Sequence, residues 1–251
     1  MKKNSNKTVV FNPQKMLLSD KSAFSVKEAY KTLRTNVMFS LPGKDSKCIG
    51  IVSPERGDGK SLVAINLAIS FSQINKKVII VDCDLRLPTI ASKLGIEAKP
   101  GLSNFLSGNQ DSDKAIIRRS AKYGIDIMTA GDIPPDPTAL ITSKQMDAFV
   151  EMLKKHYDYI IFDFPPATIV SDAASMSRII DGYLIVIRHN DSEYSKINET
   201  LRQMGFADAK ILGFVYNGKE QQKKYYKKRK YSKYYYNYYN YYYYKKDNNQ
   251  H

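Results

Sequence analysis

Apolar residues in positions 1–218 follow two alternating patterns. Short runs of consecutive apolar residues, typical of strands buried in a parallel sheet, alternate with longer segments in which apolar residues recur at helical spacing. The predicted strands are residues 48–52, 77–81, 125–129, 159–162, 183–187 and 211–216. The predicted helices are residues 26–39, 61–74, 143–156 and 194–204. This alternation predicts one doubly wound α/β domain with a mostly parallel sheet, whose ligands bind at the carboxyl ends of the strands.

The pattern stops at residue 219. Twelve of the 19 tyrosines lie between Tyr225 and Tyr244, in a stretch that contains no Leu, Ile, Val, Phe, Met or Ala. Because such a segment has no periodic apolar face to bury, residues 219–251 are predicted to form a flexible tail on a globular domain of residues 1–218. The tail holds ten Lys or Arg against two acids, a balance of +8 within the chain's total of +14.

Composition sets several classes of protein aside. The longest apolar runs are far shorter than the roughly 18 to 20 residues of a membrane-spanning helix. Lys2 and Lys3 are not followed by the apolar stretch of a secretory signal, so we expect a cytoplasmic protein. Two cysteines, Cys48 and Cys83, and three histidines favour neither a disulfide framework nor a zinc site.

The first predicted strand leads into a candidate phosphate-binding loop. Residues 53–61 read Ser-Pro-Glu-Arg-Gly-Asp-Gly-Lys-Ser and precede an apolar helix. Gly57 and Gly59 allow the backbone to curl so that its N–H groups point at phosphate oxygens, next to the positive end of a helix dipole. Lys60 is then expected to reach the β- and γ-phosphates of a nucleotide, and the Ser61 hydroxyl to ligate Mg²⁺.

Two further strands run directly into acidic residues. Asp82 and Asp84 follow the second strand, and residues two apart on an extended chain point to the same side. Asp163 ends the fourth strand, before Phe164 and two prolines. A single aspartate at such a place is more often a helix cap or a turn residue. Three acids at two strand ends, beside a phosphate loop on a third, instead predict an Mg²⁺ nucleotide site.

Together these motifs resemble those of the bacterial tyrosine kinases, phosphate-loop enzymes unrelated in fold to eukaryotic protein kinases. The phosphate loop, Asp-x-Asp-x-Arg and Asp-x-Pro-Pro correspond to that family's Walker A, A′ and B motifs. The segment Glu-Ala-Tyr-Lys-Thr-Leu-Arg at residues 28–34 looks like its assembly helix, and the tyrosine cluster completes the likeness. Four residues depart from the family pattern, namely Lys31, Pro54, Ala139 and Phe164.

The resemblance implies a role for each matched position. Lys60, Asp82 and Asp84 would be catalytic, with Asp82 as the better candidate for the base that accepts the tyrosine proton. The nucleotide would be bound by Gly57, Asp58, Gly59, Lys60, Ser61 and Asn217. Mg²⁺ would be held, directly or through water, by Ser61, Asp84 and Asp163. Contacts between subunits would involve Glu28, Lys31, Arg34 and Arg86, the last of which could touch phosphate instead. The phosphoacceptors would be Tyr225, Tyr226, Tyr231, Tyr234, Tyr235, Tyr236, Tyr238, Tyr239, Tyr241, Tyr242, Tyr243 and Tyr244.

The same resemblance implies a function and partners. We expect an ATP- and Mg²⁺-dependent tyrosine kinase that phosphorylates its own tail, mainly between subunits of a ring-like homo-oligomer, and regulates capsular or extracellular polysaccharide synthesis and export. A membrane-anchored activator would recruit it to the inner face of the plasma membrane through a cytoplasmic tail, and a protein-tyrosine phosphatase would oppose it. Two alternatives are an ATPase switch of the partition or septum-positioning type, and a nucleic-acid-binding protein that uses the basic aromatic tail.

Overall fold

The computed structural model describes residues 13–43, 45–108, 116–189 and 191–218. A short 3-10 helix, Pro13–Met16, comes first. The α-helices are α1 (Phe24–Ser40), α2 (Lys60–Ser72), α3 (Ile90–Leu94), α4 (Leu102–Leu106), α5 (Pro137–Ile141), α6 (Lys144–Lys154), α7 (Asp172–Ser175) and α8 (Tyr194–Phe206). The strands are β1 (Lys47–Val52), β2 (Val78–Asp82), β3 (Ile117–Ser120), β4 (Ile125–Met128), β5 (Tyr159–Asp163), β6 (Gly182–Arg188) and β7 (Ile211–Asn217).

The seven strands form one sheet in the order β3-β4-β2-β5-β1-β6-β7. Every neighbouring pair is parallel except β3 and β4, which are antiparallel at one edge. The strands β2, β5 and β1 are adjacent, and all three point the same way. Their carboxyl ends therefore lie side by side, which is the arrangement that positions the site described below.

The sheet has a hydrophobic core on each face. Alternate residues of β1 point to opposite sides, with Ile49 and Ile51 in one cluster and Cys48 and Val52 in the other. Buried residues of α1 and α2 pack on the first face, and those of α6 pack on the second. Helices on both faces of a mostly parallel sheet confirm the predicted doubly wound fold.

The predicted elements are all present, with ends that shift by a few residues. The sequence patterns did not predict β3 or the short helices α3, α4, α5 and α7. Strand β3 escapes prediction because it lies at an edge and carries Arg118, Arg119 and Ser120, so it lacks the apolar run of the central strands. The predicted tail, residues 219–251, lies outside the described residues.

Candidate active site

The three predicted motifs meet at the carboxyl ends of three adjacent strands. The loop of residues 53–59 follows β1, Asp82 ends β2 and Asp163 ends β5. Asp82 and Asp163 are register partners on neighbouring strands, and Ile51 of β1 pairs with Asp163 on its other side. Residues separated by about a hundred positions in sequence are therefore brought to one edge of the sheet.

The phosphate loop depends on two glycines with left-handed backbone. Gly57 has φ +90° and Gly59 has φ +94°, a region that residues with a Cβ rarely adopt. A Cβ on Gly59 would also collide with the side-chain amide of Asn217. Helix α2 begins at the next residue, Lys60, so the loop ends at the positive pole of a 13-residue helix.

Asp58 braces the loop from within. Its Oδ2 accepts a hydrogen bond from the backbone N–H of Glu55 at 3.0 Å, and its Oδ1 accepts one from the Ser192 hydroxyl at 3.0 Å. Its backbone carbonyl accepts a hydrogen bond from Asn217 Nδ2 at 2.7 Å. Asp58 is therefore a structural brace of the loop, and the Asn217 amide nitrogen is engaged with the loop backbone.

Three residues that the sequence patterns did not predict also hold the loop. Ser192 contacts Asp58, Arg188 Nη1 donates to the Gly57 carbonyl at 3.2 Å, and Thr168 Oγ1 donates to the Pro54 carbonyl at 2.7 Å. These partners lie more than a hundred positions from the loop in sequence. No local pattern indicates such contacts, because only the order of strands brings the segments together.

Lys60 lies among the three predicted carboxylates. Its Nζ is 3.1 Å from Asp84 Oδ2 and 3.3 Å from Asp163 Oδ1, and all three side chains are buried. Burial alone would lower the pKa of Lys60, but the charges of Asp163, Asp84 and Asp82 together raise the pKa above its ordinary value. The ammonium group thus remains charged and compensates the acidic cluster.

Asp82 is a buried acid with a raised pKa. Burial, followed by repulsion from Asp163, raises the pKa of Asp82 to about 8, while the charge of Lys60 acts in the opposite direction. Its two oxygens accept hydrogen bonds of 3.2 Å from the backbone N–H groups of Asp84 and Ile90. Asp82 is fully buried, whereas Asp84 is 5 % exposed.

Asp163 has an unused oxygen at this edge of the sheet. Its Oδ2 is buried and accepts no hydrogen bond from the described residues. Burial raises the pKa of Asp163, and the charge of Lys60 opposes the shift. The Ser61 hydroxyl nearby accepts a hydrogen bond from Thr89 Oγ1 at 2.9 Å. Within the described ranges, no group of three or more His, Cys, Asp or Glu residues is arranged to hold a metal ion.

The residues predicted to contact other subunits make contacts within their own chain. In α1, Lys31 Nζ pairs with Glu28 Oε1 at 2.8 Å, and Arg34 Nη1 donates to the Ser70 carbonyl of α2 at 2.5 Å. Arg86 Nη2 donates to Thr138 Oγ1 at 2.9 Å. Their predicted roles in assembly remain predictions. The twelve predicted phosphoacceptor tyrosines lie outside the described residues.

No helix among the described residues is long and apolar enough to cross a membrane.

A protein family described as "ParA: NUBPL iron-transfer P-loop NTPase" matches residues 45–236. The match covers the sheet and the phosphate loop, so the chain contains a P-loop NTPase domain of that fold. The iron transfer in that name refers to NUBPL and is not assigned to this chain.

Named relatives and solved structures narrow this assignment. Tyrosine-protein kinase YwqD of Bacillus subtilis is 35 % identical over 77 % of this chain and 81 % of its own length. Putative tyrosine-protein kinase CapB of Staphylococcus aureus is 32 % identical over 80 % of this chain and 88 % of its own length. The kinase domain of Escherichia coli tyrosine kinase ETK superposes on this chain with a TM-score of 0.78 at 29 % identity. The superposition covers 86 % of this chain and 84 % of the ETK chain. With this similarity, and with the three motifs at adjacent strand ends, the chain belongs to the bacterial tyrosine kinase family.

Proposed function

We propose that the chain transfers the γ-phosphoryl group of ATP, bound with Mg²⁺, to tyrosines of its own C-terminal segment. The observation that carries this proposal is the convergence of Lys60, Asp82, Asp84 and Asp163 at three adjacent strand ends, beside the loop that contains Gly57 and Gly59. A P-loop NTPase fold supports nucleotide binding, and membership of the tyrosine kinase family supports tyrosine as the acceptor.

The donor set fits Mg²⁺. This ion prefers oxygen ligands, keeps several waters and is usually bound by one or two carboxylates together with substrate phosphates. Asp163 Oδ2 is a buried oxygen with no hydrogen bond from the described residues, and the carboxylate of Asp84 and the hydroxyl of Ser61 are the other candidate donors. Magnesium bound there would neutralise charge on the β- and γ-phosphates.

The protein residues contribute mainly alignment and charge neutralisation, which are what phosphoryl transfer requires. The backbone amides of the loop and Lys60 bind the phosphates, and the hydrogen bonds of Asp58 stabilise the conformation of the loop. A free tyrosine has a pKa near 10, so its hydroxyl needs a base at neutral pH. Asp82, with its pKa raised to about 8, is a stronger base than an ordinary carboxylate, but without bound nucleotide it is mostly protonated at pH 7. Mg²⁺ bound nearby would favour its charged form and so make it available as a base. Because Asp82 is fully buried, the site must open for a tyrosine to reach it.

The acceptors we propose are the twelve tyrosines between Tyr225 and Tyr244. The 33 residues after Gly218 could span roughly 110 Å when fully extended, or about 30 Å as a flexible coil. That reach serves a neighbouring subunit as readily as the same subunit. Each phosphotyrosine adds about −1.5 to −2 charges, so roughly four or five of them would cancel the segment's +8. We propose that this change of charge loosens the assembly or releases a partner.

The proposed partners follow from membership of the family. They are further copies of the chain in a ring-like assembly, a membrane-anchored activator that recruits the chain to the inner face of the plasma membrane, and an opposing tyrosine phosphatase. The process regulated would be capsular or extracellular polysaccharide synthesis and export. Helix α1 supports the assembly, because it exposes several apolar side chains, notably Phe39 at 80 % and Phe24 at 49 %.

A mixing experiment tests transfer between subunits. A Lys60→Met chain with the natural tyrosines is incubated with an active chain whose twelve tail tyrosines are replaced by phenylalanine, in the presence of Mg²⁺ and ATP. We expect phosphotyrosine on the Lys60→Met chain in the mixture and none when it is incubated alone. A Lys76→Met chain, altered at a surface lysine, is the matched control and should phosphorylate itself. An unmodified Lys60→Met chain beside an active partner would contradict transfer between subunits.

A further inference from the structure

Arg86, Thr138 and Asp172 form a polar cluster beside the phosphate site. Arg86 Nη2 donates to Thr138 Oγ1 at 2.9 Å, and Thr138 Oγ1 donates to Asp172 Oδ1 at 2.8 Å. Arg86 Nε lies 3.7 Å from Asp172 Oδ2, which makes an ion pair but is too long for a hydrogen bond. The threonine hydroxyl thus connects the arginine to the carboxylate.

Asp172 gives this cluster its anchoring strength. Its side chain is fully buried at the start of α7, where a carboxylate without a compensating charge would be strongly unfavourable. Arg86 supplies the compensating charge, so the ion pair with Asp172 holds the guanidinium in place. Thr138 comes from α5, so three separate segments of the chain are joined here.

Arg86 lies in the turn that positions a catalytic carboxylate. Asp84 Oδ1 accepts a hydrogen bond from the backbone N–H of Leu87 at 3.0 Å, which closes a turn over residues 84–87. The other oxygen, Oδ2, is 3.1 Å from Lys60 Nζ. Moving the turn would therefore swing the Asp84 carboxylate away from Lys60. Leu85 anchors this turn in the hydrophobic core, and Arg86 is the side chain that ties it by polar contacts to Thr138 and Asp172.

We propose that Thr138 and Asp172 are positioning residues for phosphoryl transfer: they hold Arg86, and through it they fix the turn that aims the Asp84 carboxylate into the nucleotide site. This inference rests on the proposed function for its catalytic meaning. The contacts of Arg86 with Thr138 and Asp172, which we call the clamp, are a property of the fold and have their own readout.

Cys83 provides that readout, since it precedes Asp84 and is fully buried. A loosened turn should therefore expose Cys83 to alkylation. Cys48, fully buried in β1, reports on opening of the whole fold in the same sample.

The experiment compares Thr138→Val with Thr138→Ser, which keeps the hydroxyl. Thr142→Val is the matched control, because among the described residues the Thr142 hydroxyl donates to the backbone carbonyls of Thr138 and Ala139 and to no side chain. Two quantities are measured on the full chain: the rate of iodoacetamide alkylation at Cys83 relative to Cys48, and the Mg²⁺ concentration that gives half-maximal binding of a fluorescent ATP analogue.

We expect Thr138→Val to raise the Cys83-to-Cys48 alkylation ratio, and the Mg²⁺ concentration required, each on the order of tenfold, as for loss of a hydrogen bond to a charged group. Thr138→Ser should restore both quantities, and Thr142→Val should change neither. A ratio in Thr138→Val equal to that of the control, or parallel acceleration at both cysteines, would overturn the clamp. Wild-type protein that binds no Mg²⁺ nucleotide would instead contradict the proposed function, and the alkylation ratio would still decide the clamp.

Discussion

The buried Asp82 carboxyl makes a specific prediction for the pH dependence of stability. Its pKa in the folded chain is about 8, against an ordinary value of 3.8. Between these two values the folded chain keeps a proton that the unfolded chain has released, so stability decreases as pH rises. The slope from one such group is about 1.4 kcal/mol per pH unit. Below the lower value and above the upper one, both states carry the same charge and the slope disappears.

The substitution Asp82→Asn removes this slope. Asparagine has one side-chain oxygen for the backbone N–H groups of Asp84 and Ile90, so the variant also loses one hydrogen bond, at a pH-independent cost of about 1 to 3 kcal/mol. We therefore expect the variant to be less stable than wild type at pH 5 and to gain on it as pH rises. From pH 5 to pH 8 the difference should shift by up to about 4 kcal/mol in favour of the variant.

The assay is urea unfolding of both proteins at several pH values, in EDTA so that no metal ion competes for the carboxylates. The free energy of unfolding is compared at each pH, and the change of the difference with pH is the diagnostic quantity. If the unfolding free energies of wild type and Asp82→Asn change in parallel from pH 5 to pH 8, the assignment of a raised pKa to Asp82 is refuted.

Three further substitutions test separate parts of the structure. Gly59→Ala should weaken ATP binding at least tenfold in a fluorescence titration, because φ +94° and the side chain of Asn217 both exclude a Cβ; unchanged affinity would contradict this loop geometry. Asn66→Ala should lower the free energy of unfolding, measured in urea, by about 2 kcal/mol, because Asn66 Oδ1 accepts a hydrogen bond from the buried Leu18 N–H at 2.7 Å. A loss below about 0.5 kcal/mol would contradict a stabilising role of this hydrogen bond. Phe39→Ser should leave the unfolding free energy within about 0.5 kcal/mol but reduce oligomer size in light scattering, and an unchanged size would exclude Phe39 from the assembly surface.

The sequence was sufficient to predict the central strands of the sheet and the motifs that follow them. Strands β1, β2 and β5 are continuous apolar runs, so their positions follow from periodicity. The parallel arrangement then places Asp82, Asp163 and the phosphate loop at one edge. The sequence therefore predicts both the fold class and the convergence of these motifs.

Contacts between distant segments could not be predicted in this way. The hydrogen bond from Ser192 to Asp58 joins residues 134 positions apart, and Thr138 meets Asp172 across 34 positions. Serine and threonine at such places look like ordinary loop or helix residues. Their roles depend on the order of the strands and on the packing of short helices, which local patterns do not specify.

The most direct test of the central claim is phosphopeptide mass spectrometry of the full chain after incubation with Mg²⁺ and ATP. Wild type and Lys60→Met are compared, each with and without the cytoplasmic segment of a candidate membrane activator. The account predicts phosphate on tyrosines between Tyr225 and Tyr244 in wild type and none in Lys60→Met. Formation of ADP by wild type with every one of these tyrosines unmodified, even beside the activator, would contradict it.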